Sequence, residues 1–261
     1  MSSWALSPVE QRRLDEEGYL VREAAFRGAE LEAVRDACEA LCQRLLATPT
    51  ASPRIPAGSY LFQLCAEPVT MLKWEPDHPE VLQGVEPFAH FDEALRRLGC
   101  DARLVEPMRD LIGAREIELF TEKLNLKRAR VGGPIVLHQD YPYWTETSEH
   151  PEEIATAILF LDDAHGGNGG LEVLPGSHRG GPRVGGAKPG FGRNELKPES
   201  ISDDELVLLE VTAGTLVYFG SLLVHRSLPN GSDTDRRTLL YSYQPAGRPP
   251  SVRSFEKLLR R

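Results

Sequence analysis

The chain is short of cysteine, with four residues in 261, and no two of them form a C-x-x-C pair. A disulfide framework is therefore excluded, and reduced thiols in a cytoplasmic protein are the expectation. Cys38 and Cys42 share a helix face at i and i+4, but no histidine stands near them in sequence, so they are read as core thiols. No apolar run approaches the ~18 residues of a membrane span. The opening MSSWALSPVEQRRLDEEGYL also lacks the basic stretch and apolar run of an export leader. Basic residues are in the minority, 30 Lys and Arg against 39 Asp and Glu, for a net charge of −9. That balance gives no general attraction to phosphate backbones or anionic bilayers, so neither nucleic acid nor membrane is expected as a partner. No internal repeat recurs at a fixed period, which excludes a solenoid.

What the chain does have is punctuation. Its 23 glycines and 20 prolines are spread along the whole length, as many turns between short elements require. Ser7-Pro8 opens a capped helix that Gly18 stops, followed by a short strand in YLVREAAF. From Arg27 to Ala47, Leu31, Val34, Cys38, Leu41, Cys42 and Leu45 recur every three to four residues and predict an amphipathic helix. Residues 48–87 are proline-rich and read as an irregular but ordered insertion, after which two helices end at Gly99 and Gly113. From Glu116 onward, eight β-like runs follow one another without intervening helices: EIELFTEKLNLK, PIVLHQDY, EIATAILFLDD, GGLEVLP, LVLLEV, GTLVYFG, LLVHRS and RRTLLYSYQ. This order predicts a mainly β fold with flanking α-helices, a single domain over 1–261. Residues 1–115 form its helical flank and substrate-side insertion, and 116–245 its antiparallel jelly-roll core. The tail SVRSFEKLLRR reads as a short or frayed helix.

Two histidines and a carboxylate carry the chemistry. In PIVLHQDY the strand period puts His138 and Asp140 on one face, where an imidazole and a carboxylate entering an apolar interior need each other or a cation. H-x-D alone is satisfied by a hydrogen-bonded pair. His225 follows the apolar run LVYFGSLLV, and two imidazoles plus one carboxylate match the three-ligand set that leaves open positions on non-haem iron. Arg236 stands eleven residues later at the head of RRTLLYSYQ, where a hairpin returning it beside His225 would present a guanidinium suited to clamping a carboxylate. Arg237, on the other face, reads as a surface charge beside Asp233 and Asp235.

With these residues in place the chain resembles the phytanoyl-CoA dioxygenase family of Fe(II)- and 2-oxoglutarate-dependent oxygenases. The resemblance runs through LNLK, VGGPIVLHQDYPYW, FLDDAHGGNGGLEVLPGSH and GTLVYFGSLLVHRSLPNGSDTDRRTLLYSY, with LSPVEQRRLDEEGYLVREAAF similar to the family's usual opening. It implies a double-stranded β-helix, or cupin-like jelly roll, with His138, Asp140 and His225 as iron ligands. Arg236 would take the distal carboxylate of 2-oxoglutarate with Ser227 sharing it, and Asn125 and Lys127 would line the cosubstrate pocket. Trp144 matches an aromatic that flanks the iron in some relatives. The other histidines are not assigned to the metal: His178 reads as structural, and His78, His90, His150 and His165 as exposed.

The implied reaction consumes O2 and 2-oxoglutarate and hydroxylates an unactivated C–H bond, with release of succinate and CO2. Asp140 favours oxygen transfer, because related halogenases carry a small residue there. Tyr60, Phe62, Met71, Lys73 and Trp74, with the loop from Tyr141 through Tyr143 to Glu146, are the expected substrate mouth. Their mix of rings and charges suits a small or medium-sized amino-acid-like acid or natural product. An acyl-CoA or lipid-like substrate is the alternative within the same chemistry, though no basic cluster marks a coenzyme A phosphate site. A non-redox divalent-metal jelly-roll enzyme or binding protein is the alternative from another class.

Overall fold

The structure is a computed structural model and describes residues 4–48, 52–57, 60–66, 69–183, 196 and 201–251. The predicted C-terminal helix falls mostly outside the described residues. At the N-terminus, Ser7 caps α1 (Pro8–Glu17): its hydroxyl accepts from the Glu10 N–H, and the Glu10 carboxylate accepts in return from the Ser7 N–H. Gly18, in the left-handed region at φ 86°, ends the helix and turns the chain into β1 (Tyr19–Arg22). The apolar stripe of α2 (Gly28–Ala47) buries Leu31, Cys38, Leu41 and Cys42.

Residues 48–87 depart from the irregular insertion expected of them. They contain β2 (Arg54–Ala57), β3 (Tyr60–Ala66), β4 (Val69–Trp74) and β5 (Leu82–Glu86), an antiparallel run that extends the main sheet. Prolines hide these strands from a sequence reading because they sit at the turns and, as Pro56, in the edge strand β2, which is paired along one side only. The segment 1–115 is therefore part helical and part sheet. Helices α3 (Glu93–Leu98) and α4 (Ala102–Ile112) follow, ending at Gly99 and Gly113 as expected.

All eight predicted core strands form: β6 (Ile117–Lys127), β7 (Ile135–His138), β8 (Ala155–Phe160), β9 (Leu171–Val173), β10 (Val207–Leu209), β11 (Leu216–Gly220), β12 (His225–Ser227) and β13 (Arg236–Pro245). A single turn of helix, α5 (Tyr141–Trp144), follows β7. The large sheet has the order β1-β11-β8-β13-β6-β5-β4-β3-β2 and the small one β10-β9-β12-β7, with antiparallel neighbours throughout.

Strand alternation sorts side chains onto the two faces of the large sheet. Ala157, Leu159, Leu239 and Tyr241 pack outward with Leu31, Leu41, Leu95, Leu104 and Met108 of the helices. The hydroxyls of Tyr218, Tyr241 and Tyr243 fix that layer by donating to the carbonyls of Arg103, Leu95 and Gly99 at 2.8, 2.7 and 2.9 Å. Ile158, Phe160, Val217 and Phe219 point the other way and meet Leu171, Val173 and Leu223 between the sheets. At the other end of this inter-sheet space the apolar packing gives way to a cavity.

Candidate active site

The cavity measures about 370 Å³ and opens between the sheets where β7 and β12 meet. His138 and His225 are direct partners across that strand pair, and their rings lie 4.2 Å apart between centroids. The Nδ1 of His138 is 2.7 Å from the Val136 carbonyl, and that of His225 is 3.0 Å from the Leu223 carbonyl. A carbonyl can only accept, so Nδ1 carries the proton in each ring and both Nε2 atoms present lone pairs to the cavity. Burial, and then the neighbouring His138, push the His225 pKa down to about 4, which keeps that imidazole neutral.

Asp140 completes the group by a route the sequence reading did not foresee. The strand stops at His138, and Asp140 adopts helical dihedrals (φ −70°, ψ −31°) at the start of α5. The turn, rather than strand alternation, brings its Oδ1 to 3.6 Å from His138 Nε2. Burial works against ionisation of Asp140, but the facing His138, His225 and Lys123 outweigh this and hold its pKa low. The three donor atoms lie within 4.8 Å of one another, two imidazoles and one carboxylate, a set that fits an octahedral first-row metal with one face left for ligands. Among the described residues a second such group, His150, Glu152 and Glu153, is largely exposed on the surface.

Arg236 faces this group from the large sheet. β12 and β13 belong to different sheets, so the two residues meet across the sandwich and not through the expected hairpin. The guanidinium is fully buried, donates to the Gly169 carbonyl at 2.9 Å, and has its Nε without a hydrogen-bond partner among the described residues. Burial lowers its pKa only to about 10, so it stays charged at neutral pH. Ser227, also on the cavity wall, has its buried Oγ in the same unsatisfied state. Leaving such groups unpaired costs on the order of 1–3 kcal/mol each, so this end of the cavity is built to receive an acceptor such as a carboxylate. Gly169 permits the arrangement: it sits at φ 75°, and a Cβ there would lie 2.3 Å from the Leu228 carbonyl oxygen.

Two transverse rows of the large sheet form the facing wall. One runs Phe62, Lys73, Gly84, Asn125, Thr238, Phe160; the other runs Met71, Glu86, Lys123, Leu240, Ile158. Asn125 thus lines the cavity as expected, and the missing side chain of Gly84 beside it keeps the space open. Tyr60, Phe62, Tyr143 and Trp144 line it too, with Trp144 packed edge-on against Phe120.

Three of the expected site residues are elsewhere. Lys127 sits opposite Arg236 in the ladder, but its Nζ donates to the carbonyls of Gly133 and Leu228 at 2.5 and 2.8 Å, under the loops that close this end of the sandwich. Its burial, and then the charge of Arg236, push its pKa down to about 6, and it is a structural group away from the cavity lining. Trp74 turns to the opposite side of β4, where its Nε1 donates to Gln63 at 3.1 Å and Arg54 stacks on its ring. Tyr141 starts α5 outside the lining. Arg237 is likewise no surface charge: it pairs with Asp162 at 2.9 Å, while Arg128 and Arg130 take Asp235 and Asp233. His178 packs against Gly18 away from the metal-ligand group, and His78, His90, His150 and His165 are exposed. Glu86 and Lys123, an ion pair at 3.2 Å in the cavity wall, escaped the sequence reading because no short motif marks a pair made across two strands.

The model of the phytanoyl-CoA dioxygenase family matches residues 14–238. The L-proline trans-4-hydroxylase of Streptomyces griseoviridis is 32% identical over 179 residues, 62% of this chain and 66% of the relative. The ectoine dioxygenase of Sphingopyxis alaskensis is 28% identical over 177 residues, 66% of this chain and 51% of the relative. The chain thus spans between two fifths and two thirds of the length of the curated relatives it matches. Among solved structures, EctD from S. alaskensis with 2-oxoglutarate and 5-hydroxyectoine shares the fold with a TM-score of 0.68 at 23% identity, covering 92% of this chain and 76% of that one. The epimerase SnoN from nogalamycin biosynthesis, in complex with Fe3+, alpha-ketoglutarate and nogalamycin RO, does so at 0.66 and 19%, covering 95% and 88%. With a family match over most of its length and the jelly-roll fold of these structures, the chain belongs to the phytanoyl-CoA dioxygenase family.

Proposed function

We propose that the protein is an Fe(II)- and 2-oxoglutarate-dependent dioxygenase that hydroxylates a small amino-acid-like acid or natural product. The observation that carries this reading is a single cavity with two chemically matched ends: a buried group of two imidazoles and a carboxylate, and a buried guanidinium and hydroxyl with unsatisfied donors. His138, Asp140 and His225 would hold the iron, which supplies the oxidising chemistry when 2-oxoglutarate and O2 are bound. Arg236 and Ser227 would bind the far carboxylate of 2-oxoglutarate, and their fixed spacing from the metal ligands orients it. Asn125, on the wall between the two ends, is the neighbouring polar contact.

The remaining residues shape and dry the site. Phe160, Leu171 and Ile158 exclude water from the inter-sheet side, while Tyr143 and Trp144 wall the mouth. We read residues 1–261 as one catalytic unit, a reading supported by β2–β5 joining the core sheet and contributing a cavity wall. A cytoplasmic location is supported by four cysteines that are all free. Incubation with Fe(II), 2-oxoglutarate and O2 tests the function: we expect succinate to form, stimulated several-fold by the right small acid and abolished in His225→Ala. The absence of succinate across amino-acid-like and natural-product acids, together with no 2-oxoglutarate binding, contradicts it.

A further inference from the structure

We propose that Glu86 and Lys123 recognise the substrate as a zwitterion, the Glu86 carboxylate taking the ammonium and the Lys123 ammonium the carboxylate of a free α-amino acid. The proposal rests on the dioxygenase reading above. The two side chains meet at 3.2 Å in the cavity wall, in a row whose other members are Met71, Leu240 and Ile158. An ion pair among apolar neighbours gives the sheet little, because its Coulomb energy is offset by desolvation and apolar residues of similar volume serve as well. Both groups also retain bonding capacity. The Glu86 oxygens accept from the Thr121 hydroxyl at 2.8 Å and from Lys123, one donor each, and each oxygen can take a second. Lys123 has three donors and, among the described residues, one ion-pair partner, and 38% of its side chain stays accessible.

Their signs select the ligand. A simple carboxylate settling on Lys123 would meet the repulsion of Glu86, and a simple amine on Glu86 that of Lys123. An α-amino acid, with both charges on one carbon, matches the pair with opposite polarity and replaces one ion pair by two. The pair also stands near the chemistry: the charge of Lys123 reaches both Asp140 and His225. A substrate held by its α-carbon there directs its side chain or ring toward the metal-ligand group, between Met71, Leu240 and Tyr143.

Calorimetry on the anaerobic protein loaded with Fe(II) and 2-oxoglutarate tests this with matched probes: L-proline, cyclopentanecarboxylate and pyrrolidine, and L-valine, 3-methylbutanoate and isobutylamine. In the wild type a free amino acid should bind at least about tenfold tighter than both of its single-charge analogues. Glu86→Gln should erase the preference over the acid, and Lys123→Met the preference over the amine, with 2-oxoglutarate affinity unchanged in both. The double variant Glu86→Met, Lys123→Met should melt no lower than the wild type yet lose amino-acid binding. Equal binding of the single-charge analogues, no binding of either amino acid, or preferences that survive both substitutions would overturn the pair's role while leaving 2-oxoglutarate binding intact. Failure of the wild type to bind 2-oxoglutarate overturns the dioxygenase reading and this inference with it.

Discussion

Arg236 illustrates how much one side chain depends on its surroundings. Two of its nitrogens are engaged within the protein, by Gly169 and by Thr238, and its buried Nε has no partner among the described residues. Replacing it with Gln removes the charge and the fork, and we expect 2-oxoglutarate affinity to fall by roughly 100-fold or more, since hydrogen bonds to charged groups are worth about 1.5–3 kcal/mol each. Ser227→Ala should cost about tenfold by the same reasoning. Titration of 2-oxoglutarate against the Fe(II) protein measures both, and metal content should stay unchanged because neither residue belongs to the His138, Asp140 and His225 group. Gly169→Ala should act at a distance. Its Cβ would collide with the Leu228 carbonyl in a backbone conformation unfavourable to alanine, so the variant should lose several kcal/mol of stability in urea unfolding, within the range known for strained backbone sites.

At the scale of the element, β6 carries alternating duties along its inner face: Lys123 and Asn125 on the cavity, Lys127 closing the sandwich end. Its outer face holds Glu122, where burial, reinforced by the charge of Glu86, raises the pKa from 4.5 to about 7 against the pull of the Ala89 N–H. Between those two values the folded state keeps a proton that the unfolded state has released, so this residue's contribution to stability is lost as pH rises from about 4.5 to about 7. The loss totals on the order of 3 kcal/mol at ~1.4 kcal/mol per pH unit. Glu122→Gln, compared with the wild type by urea unfolding at pH 5 and pH 8, should gain relative stability at the higher pH; a constant difference would contradict the assignment. Most elements were readable because their signals are local. The Ser7 cap, the α2 stripe and the β-like runs of β6, β8 and β13 are each complete within one segment. What could not be read is relational: that β12 and β13 separate into different sheets, that a turn and not a strand aims Asp140, and that Glu86 meets Lys123. Lys127 lies off the cavity lining: its position in LNLK names a neighbourhood, while one of the two carbonyls that capture its Nζ, that of Leu228, comes from a loop about a hundred residues away.

For the whole molecule, the net −9 of the chain coexists with a guanidinium, Arg236, buried on the cavity wall. The acidic surface keeps pairing locally with arginine, as in Arg22 with Glu10 and Arg237 with Asp162, whereas Arg236 is buried apart from such partners. That contrast is the electrostatic form of a site made for a dianionic cosubstrate. Because metal and cosubstrate bind only the folded state, saturating both at about 100 times their dissociation constants should stabilise the protein by roughly 2.7 kcal/mol for each independent site. The melting temperature should therefore rise by about 10–20 °C with both bound, at ~2–4 °C per kcal/mol for a chain of this size. The most direct test of the central claim is an anaerobic absorption titration of 2-oxoglutarate into the Fe(II) protein. The account predicts a visible charge-transfer band that saturates at one equivalent, vanishes in His225→Ala, and needs far more 2-oxoglutarate in Arg236→Gln. No band in the wild type, or one of equal strength and affinity in both variants, would contradict it.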